Sequence, residues 1–267
     1  MANRLDEILS HSLLAALARK ETADIAAMER QANARTARGF RANLRRVAES
    51  GPAVIAECKK ASPSKGVIRQ QYDPASFARA FEAGGAAAIS VLTDEEFFQG
   101  SLSHLEAVSA AVNIPVLRKD FIVDPFQVLE AKAAGADAIL LIVAAHKNED
   151  LVELAAEAHR WGLDILCETH DREEIERALA LGFDTIGVNS RNLKTLTVDP
   201  QTLVEMVSYL PENVIRVAES GIAHAEDIER LMAAGYDAFL IGETLMRQPD
   251  PGATLALLLD RQYVSEV

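Results

Sequence analysis

The sequence is poor in cysteine and aromatic residues and has no long apolar run, and each scarcity excludes a class of protein. Its 267 residues include two cysteines, Cys58 and Cys167, so a disulfide-linked secreted scaffold is excluded and a reducing cytoplasm is expected. No apolar run approaches the roughly 20 residues that cross a bilayer, so we expect no membrane association. With 49% hydrophobic and 25% charged residues, the composition is typical of a globular protein.

The sequence also lacks an excess of basic residues. A formal net charge of −13 argues against nucleic-acid binding, because neutralising phosphates requires a surplus of lysine and arginine. Residues 1–50 are the exception, since they carry a net charge of +3 that is concentrated in Arg30, Arg35, Arg38, Arg41, Arg45 and Arg46. Two interpretations stay open for these arginines: a solvated helix face, or a positively charged cap over an anionic site.

After Gly51 a weak repeat predicts the architecture. Four segments each combine an alanine-rich helix end, a glycine and a short apolar run, and their glycines lie at positions 85, 135, 182 and 235. This spacing fits two strand–helix units per repeat, and apolar runs of strand length begin near Ala53, Ile114, Asp164 and Val214. Eight apolar strands alternating with helices predict a parallel (β/α)8 TIM barrel. An open doubly wound sheet would call for a glycine-rich phosphate loop, which residues 59–66 do not match.

The segment before the barrel is predicted to be helical, from Asn3 to Lys20 and from Asp24 to Glu49, ending at Gly51-Pro52. We therefore expect an N-terminal helical extension (residues 1–50) that packs on a barrel (residues 51–267), the two forming one domain.

Charged and polar residues gather where the predicted strands end. In such barrels the chemistry takes place at the carboxyl ends of the strands. A structural ion pair is enough to explain a charged residue at the end of any one strand. Charged residues at the ends of all four odd-numbered strands favour a functional site. The polar residues at these ends are Glu57 and Lys59 (strand 1), Lys119 (strand 3), Glu168 (strand 5), Asn189 and Arg191 (strand 6) and Glu219 (strand 7).

Small residues follow strands 7 and 8, at Ser220-Gly221 and at Gly242-Glu243. Each glycine alone is most simply a turn. Together they lie where many barrel enzymes bind a substrate phosphate, so the pair predicts a phosphate site.

Five segments carry a resemblance to a known family: Ile-Ala-Glu-Cys-Lys-Lys-Ala-Ser-Pro-Ser (55–64), Phe-Phe-Gln-Gly-Ser (97–101), Arg-Lys-Asp-Phe-Ile-Val-Asp (118–124), Gly-Val-Asn-Ser-Arg-Asn-Leu (187–193) and Val-Ala-Glu-Ser-Gly-Ile (217–222). Together they resemble the indole-3-glycerol phosphate synthase family, in its single-function form. The resemblance implies ring closure of 1-(2-carboxyphenylamino)-1-deoxyribulose 5-phosphate with decarboxylation and dehydration. It implies an anionic phosphosugar substrate, no nucleic-acid or membrane partner, no metal or organic cofactor, and a monomer.

The resemblance also implies roles for individual residues. Lys119 would be the general acid of ring closure, assisted by Glu57 and Asn189, and Glu168 the base of dehydration. Lys59 would contact phosphate or carboxylate and serve as a second acid, and Glu219 would contact substrate. Further substrate contacts would come from Ser62, Phe98, Phe121, Leu140, Arg191, Leu193 and Ser220, and phosphate contacts from Gly221, Gly242 and Glu243.

Three alternatives stay open at the level of the sequence. The chain could be another phosphosugar-binding isomerase or lyase, an aldolase that uses Lys119 as a Schiff-base nucleophile, or a non-catalytic scaffold. The histidines show no metal-ligand spacing, and we interpret His146 and His170, near predicted strand ends, as chance surface residues.

Overall fold

Eight parallel strands close into a barrel in the computed structural model, which describes residues 4–193 and 195–260. Neighbours in the barrel follow chain order, and the last strand pairs with the first, Ala238 opposite Ala53. The predicted (β/α)8 fold is therefore confirmed. The strands are β1 (Ala53–Cys58), β2 (Ala88–Leu92), β3 (Val116–Lys119), β4 (Ala138–Ile142), β5 (Asp164–Thr169), β6 (Thr185–Asn189), β7 (Ile215–Glu219) and β8 (Ala238–Ile241).

Helices separate the strands, and many begin at a side chain that accepts a hydrogen bond from the first helical turn. Asp124 and Asp171 are such N-caps, and their carboxylates satisfy backbone N–H groups that have no partner within the helix. Three helices precede the barrel: α1 (Arg4–Thr22), α2 (Ile25–Asn33) and α3 (Phe40–Ala48). The others are α4 (Pro74–Ala83), α5 (Glu95–Phe98), α6 (Leu102–Ala111), α7 (Pro125–Ala133), α8 (Asn148–Arg160), α9 (Arg172–Ala180), α10 (Gln201–Met206), α11 (Ala225–Ala234), α12 (Glu243–Met246) and α13 (Pro251–Leu258).

The strands are apolar throughout because both of their faces are buried. Outward-facing residues such as Val54 and Ile139 pack under the helices, whereas Ile55, Leu117 and Leu166 fill the barrel interior. No helix of the described residues is long and apolar enough to span a membrane.

The predicted helix from Asp24 to Glu49 is wrong, because the chain leaves helical geometry between α2 and α3. Gly39 has φ of +73°, in the left-handed region that favours glycine. The backbone N–H of Arg38 donates to Asp137 Oδ1 at 2.8 Å instead of to a helical carbonyl. Contacts with the barrel thus override local helix propensity here. The predicted start of the first helix at Asn3, and residues 261–267 of the predicted barrel segment, lie outside the described residues.

The arginines of this segment bind the amino-terminal end of the barrel. Arg38 donates to the carbonyl of Ile114, which precedes β3, and Arg41 pairs with Asp184, which precedes β6, at 2.9 Å. The interpretation as a cap over an anionic site is therefore wrong, because the charged strand ends lie at the opposite mouth. The solvated-face interpretation holds for the exposed Arg30, Arg45 and Arg46.

Helix α3 closes this amino-terminal mouth. Phe40 and Leu44 are fully buried in one apolar cluster with Ala53, Ala87 and Ala138, which lie at or next to the start of the first, second and fourth strands. Because this end is filled by side chains, any cavity inside the ring must open at the other end, which we call the C-terminal mouth.

Helix α1 reaches the C-terminal mouth. Its Leu5 and Ile8 are buried there, and its far end is fixed to α7, where Arg19 donates to both oxygens of Glu130 at 2.7 and 3.0 Å. Glu130 also pairs with Arg118 of β3 at 3.0 Å.

We expect Phe40→Ala to lower the free energy of unfolding by about 3–5 kcal/mol, since it removes a fully buried ring from the closed end. Urea denaturation would measure the loss, with Leu14→Ala as the control because Leu14 is 68% exposed on α1. Equal midpoints for the two variants would contradict the assignment of α3 as the plug.

Candidate active site

A cavity of about 950 Å³ opens at the C-terminal mouth. Its size suits a small organic substrate. The structure places all sixteen residues predicted for the site on its lining: Glu57, Lys59, Ser62, Phe98, Lys119, Phe121, Leu140, Glu168, Asn189, Arg191, Leu193, Glu219, Ser220, Gly221, Gly242 and Glu243.

Lys119 lies between two buried carboxylates at the base of this cavity. Its Nζ is 3.0 Å from Glu168 Oε2 and 3.7 Å from Glu219 Oε2. Both glutamate side chains are 1% exposed, whereas that of Lys119 is 14% exposed. The ammonium is therefore the member of this cluster that remains accessible from the cavity.

The cluster separates the pKa values of its members. Burial opposes charge on Lys119, but the carboxylates of Glu168 and Glu219 outweigh it and raise its pKa. Burial would likewise raise the pKa of Glu168, yet Lys119 and His170 bring it below the ordinary glutamate value. Burial, reinforced by the negative charge of Glu168, raises the pKa of Glu219. The site thus favours a protonated Lys119 and an ionised Glu168, whereas Glu219 gives up its proton less readily than an ordinary glutamate.

Two glycines make room for the carboxylates. A Cβ at position 187 of β6 would overlap Glu219 Oε1, and a Cβ at position 242, after β8, would overlap Glu57 Oε1. Glycine is required at both positions because of this close approach rather than for conformational freedom. Glu57 is 2% exposed and pairs with Lys59, so the strand-1 residues form a second ion pair beside the first.

Arg191 joins the loops that follow β6 and β1. Its backbone N–H donates to Asn189 Oδ1 at 3.0 Å, and its guanidinium donates to Ser64 Oγ at 3.4 Å. A third contact, to the carbonyl of Leu196 at 3.1 Å, holds the side chain over the cavity. The arginine therefore brings a fixed positive charge to the mouth of the barrel.

The loop after β7 has an unusual backbone. Ser220 and Gly221 have φ values of +67° and +76°, and a left-handed serine is conformationally costly. Thr244, after β8, donates to the carbonyl of Ile222 at 2.7 Å and so ties the two loops together. Strain that is held in place by neighbouring contacts is typical of a ligand-binding loop.

The opposite wall of the cavity is apolar. The rings of Phe98 and Phe121 lie 6.4 Å apart between centroids, and Leu140 and Leu193 line the same cavity. Sequence reasoning missed Leu5 and Ile8 of α1, which complete this lining. A helix sequence shows which residues are apolar, but it does not show where the helix will dock.

Sequence reasoning was also wrong about His170. The interpretation as a chance surface residue fails because its side chain is 13% exposed and its Nε2 lies 3.3 Å from Glu168 Oε1. The available signal was the spacing, since residues two apart at a strand end share a face.

Comparison with known proteins agrees with this geometry. The family model described as indole-3-glycerol phosphate synthase matches residues 5–258. The chain is 55% identical over 259 residues to the indole-3-glycerol phosphate synthase of Koribacter versatilis, covering 97% of this chain and 100% of that protein. The synthase of Azospirillum brasilense is 48% identical over 261 residues, again covering 97% and 100%.

More distant structures share only the fold. A mandelate oxidase mutant aligns with a TM-score of 0.60 at 20% identity, covering 79% of this chain and 71% of that one. Thiamine phosphate pyrophosphorylase from Pyrococcus furiosus aligns with a TM-score of 0.58 at 18% identity, covering 79% and 95%. The family match sets aside the isomerase, aldolase and scaffold alternatives and confirms the resemblance seen in the motifs: the chain belongs to the indole-3-glycerol phosphate synthase family.

Proposed function

We propose that the cavity divides the synthase reaction between Lys119 as general acid and Glu168 as general base. The enzyme is a carboxy-lyase of tryptophan biosynthesis that acts on a small phosphosugar, and it converts 1-(2-carboxyphenylamino)-1-deoxyribulose 5-phosphate into indole-3-glycerol phosphate, carbon dioxide and water. The observation that carries the proposal is the Lys119 ammonium held between Glu168 and Glu219 at the base of the cavity.

Lys119 would act in ring closure. The ring carbon that bears the carboxylate attacks the sugar ketone, a carbon–carbon bond forms, and the carbonyl oxygen takes a proton from Nζ. The carboxylates around Lys119 raise its pKa, so the proton is present at neutral pH. The intermediate carries positive charge on its nitrogen, which the buried carboxylate of Glu57 and the amide oxygen of Asn189 would stabilise.

Decarboxylation follows and restores the aromatic ring, as the electrons of the breaking carbon–carbon bond return to it. A cation near the departing carboxylate would fix the orientation of this group. Lys59 and Arg191 both line the cavity and carry that charge.

Glu168 would act in dehydration. It removes a proton from the carbon that joins the nitrogen to the former ketone carbon, and the electrons of that C–H bond form the ring double bond. The hydroxyl formed from the ketone leaves as water, with Lys59 as the acid that protonates it. This role requires Glu168 to be ionised. Lys119 and His170 favour the ionised state because they lower the pKa of Glu168 against the effect of burial. Glu219 would form a hydrogen bond with a substrate hydroxyl.

Substrate orientation would come from the two ends of the cavity. Backbone groups of Ser220 and Gly221, and of Gly242 and Glu243, would bind the phosphate. The aromatic ring would lie between Phe98, Phe121, Leu140 and Leu193. Ser62 Oγ is buried and has no hydrogen-bond partner among the described residues, so it is available to a polar group of the substrate.

We expect Lys119→Met to lower kcat by about 10²–10⁴-fold, because it removes the proton donor while keeping the length of the side chain. A continuous assay of indole fluorescence with purified protein would measure the loss. Lys147→Met is the matched control, since Lys147 is exposed and does not line the cavity. Wild-type turnover in Lys119→Met would refute the acid assignment.

Gly187→Ala should lower kcat by up to about 10²-fold, because the added methyl group displaces Glu219 from its place beside Lys119. Gly51→Ala is the matched control, since nothing lies within 4 Å of its added Cβ and the residue needs no left-handed backbone. Unchanged steady-state kinetics in Gly187→Ala would show that the position of Glu219 does not matter.

We also propose that the chain works as a monomer in a reducing cytoplasm. One chain supplies the cavity with groups from the loops after β1, β3, β5, β6, β7 and β8, and both of its cysteines are buried free thiols. Light scattering coupled to size exclusion should therefore give a mass near 28.9 kDa at assay concentration. A mass of twice that value would overturn the proposal.

A further inference from the structure

His170 lies directly behind Glu168, on the side away from the substrate cavity. Its Nε2 is 3.3 Å from Glu168 Oε1, whereas the other oxygen, Oε2, faces Lys119 at 3.0 Å. The opposite ring nitrogen, Nδ1, is 3.0 Å from Glu174 Oε2 on α9, and the backbone N–H of His170 donates to the same oxygen at 2.8 Å. Glu174 thus holds the ring at Nδ1, Nε2 lies within ion-pair distance of Glu168, and His170 is not part of the cavity lining.

The charges around the ring favour an imidazolium. Burial opposes the charge, but the contacts with Glu168 and Glu174 outweigh burial and raise the pKa of His170 to about 10. The titratable groups nearest to Glu168 are His170, Lys119 and Glu219, and burial together with the charge of Glu168 raises the pKa of Glu219. Glu168 is therefore an anion held between two cations.

His170 gives the two glutamates beside Lys119 different electrostatic surroundings. Each is 1% exposed and each faces the same ammonium, so one cation alone would leave two buried carboxylates competing for its charge. Of these two glutamates, only Glu168 pairs with a second cation among the residues that the structure describes. His170 therefore adds to the shorter Lys119 distance in favouring the charged form of Glu168 over that of Glu219.

We infer that His170 is a positioning residue for the dehydration step, which fixes Glu168 from behind and keeps that carboxylate ionised with Oε2 directed at the substrate. The inference rests on the base role proposed for Glu168. His170 acts through Glu168 and exchanges no proton with the substrate.

The pH dependence of kcat tests the inference. In His170→Asn the second cation is lost, so the pKa of Glu168 rises and the acid limb of the kcat profile moves up by about one pH unit or more. Activity should fall most below neutral pH and return toward the wild-type value at higher pH, with KM changed less than kcat. His159→Asn is the matched control, since His159 is exposed on α8, and its profile should overlay that of the wild type.

Two outcomes overturn the inference. One is an acid limb that stays in place in His170→Asn, and the other is a loss of activity that is the same at every pH, as a purely structural role would give. The Glu168→Gln variant tests the base role separately. Wild-type kcat in Glu168→Gln would refute the role of Glu168 as the base. A large loss of kcat in Glu168→Gln, together with an acid limb that does not move in His170→Asn, would refute only the role of His170.

A measurement on the wild-type protein does not depend on how the variants fold. Nitrogen-15 NMR of labelled imidazoles, with His170 assigned through its backbone amide, should show both ring nitrogens protonated at pH 8. Glu174→Gln should lower the pKa of this ring, because it removes one of the two carboxylates. A neutral His170 ring at pH 8 in the wild type would overturn the inference.

Discussion

The burial of one ammonium among carboxylates is the constraint on which the rest of the structure depends. Ions buried without partners are strongly destabilising, so Lys119 is tolerated inside the barrel only because Glu168 and Glu219 lie beside it. The carboxylates in turn require space, which glycines at positions 187 and 242 provide. The same interactions that make the cluster stable also separate the protonation states of its members, and this separation is what acid–base chemistry needs.

The barrel supplies this cluster by bringing distant parts of the chain together. Lys119, Glu168 and Glu219 are about 50 residues apart in sequence, but the parallel strands place their carboxyl ends around one ring. The apolar interior beneath them, from Ile55 to Leu166, keeps water away from the ion pairs and so strengthens their interaction. The core is therefore part of the site, because it sets the dielectric environment in which the charges act.

The fold and the lining of the site could be predicted from the sequence, for identifiable physical reasons. Strands buried on both faces are apolar throughout, and the repeated glycines mark the helix ends, so the order of elements is visible in the sequence. The features that could not be predicted are those that depend on how the N-terminal helices pack against the barrel. The break before Gly39 follows from the contact between Arg38 and Asp137, and the place of Leu5 in the cavity follows from how α1 packs. His170 was misjudged because its spacing from Glu168 was overlooked and because its second partner, Glu174, is set by how α9 begins.

The plug formed by α3 has a consequence for the movement of molecules through the enzyme. Since Phe40 and Leu44 fill the amino-terminal end, the barrel has no through-channel, and α1 lies beside the remaining opening. Substrate must therefore enter through the opening at the C-terminal mouth. Carbon dioxide, water and the indole product must leave through the same opening. The phosphate site that we propose lies at this same opening, so a bound phosphate would hold the intermediate in place while carbon dioxide leaves past it.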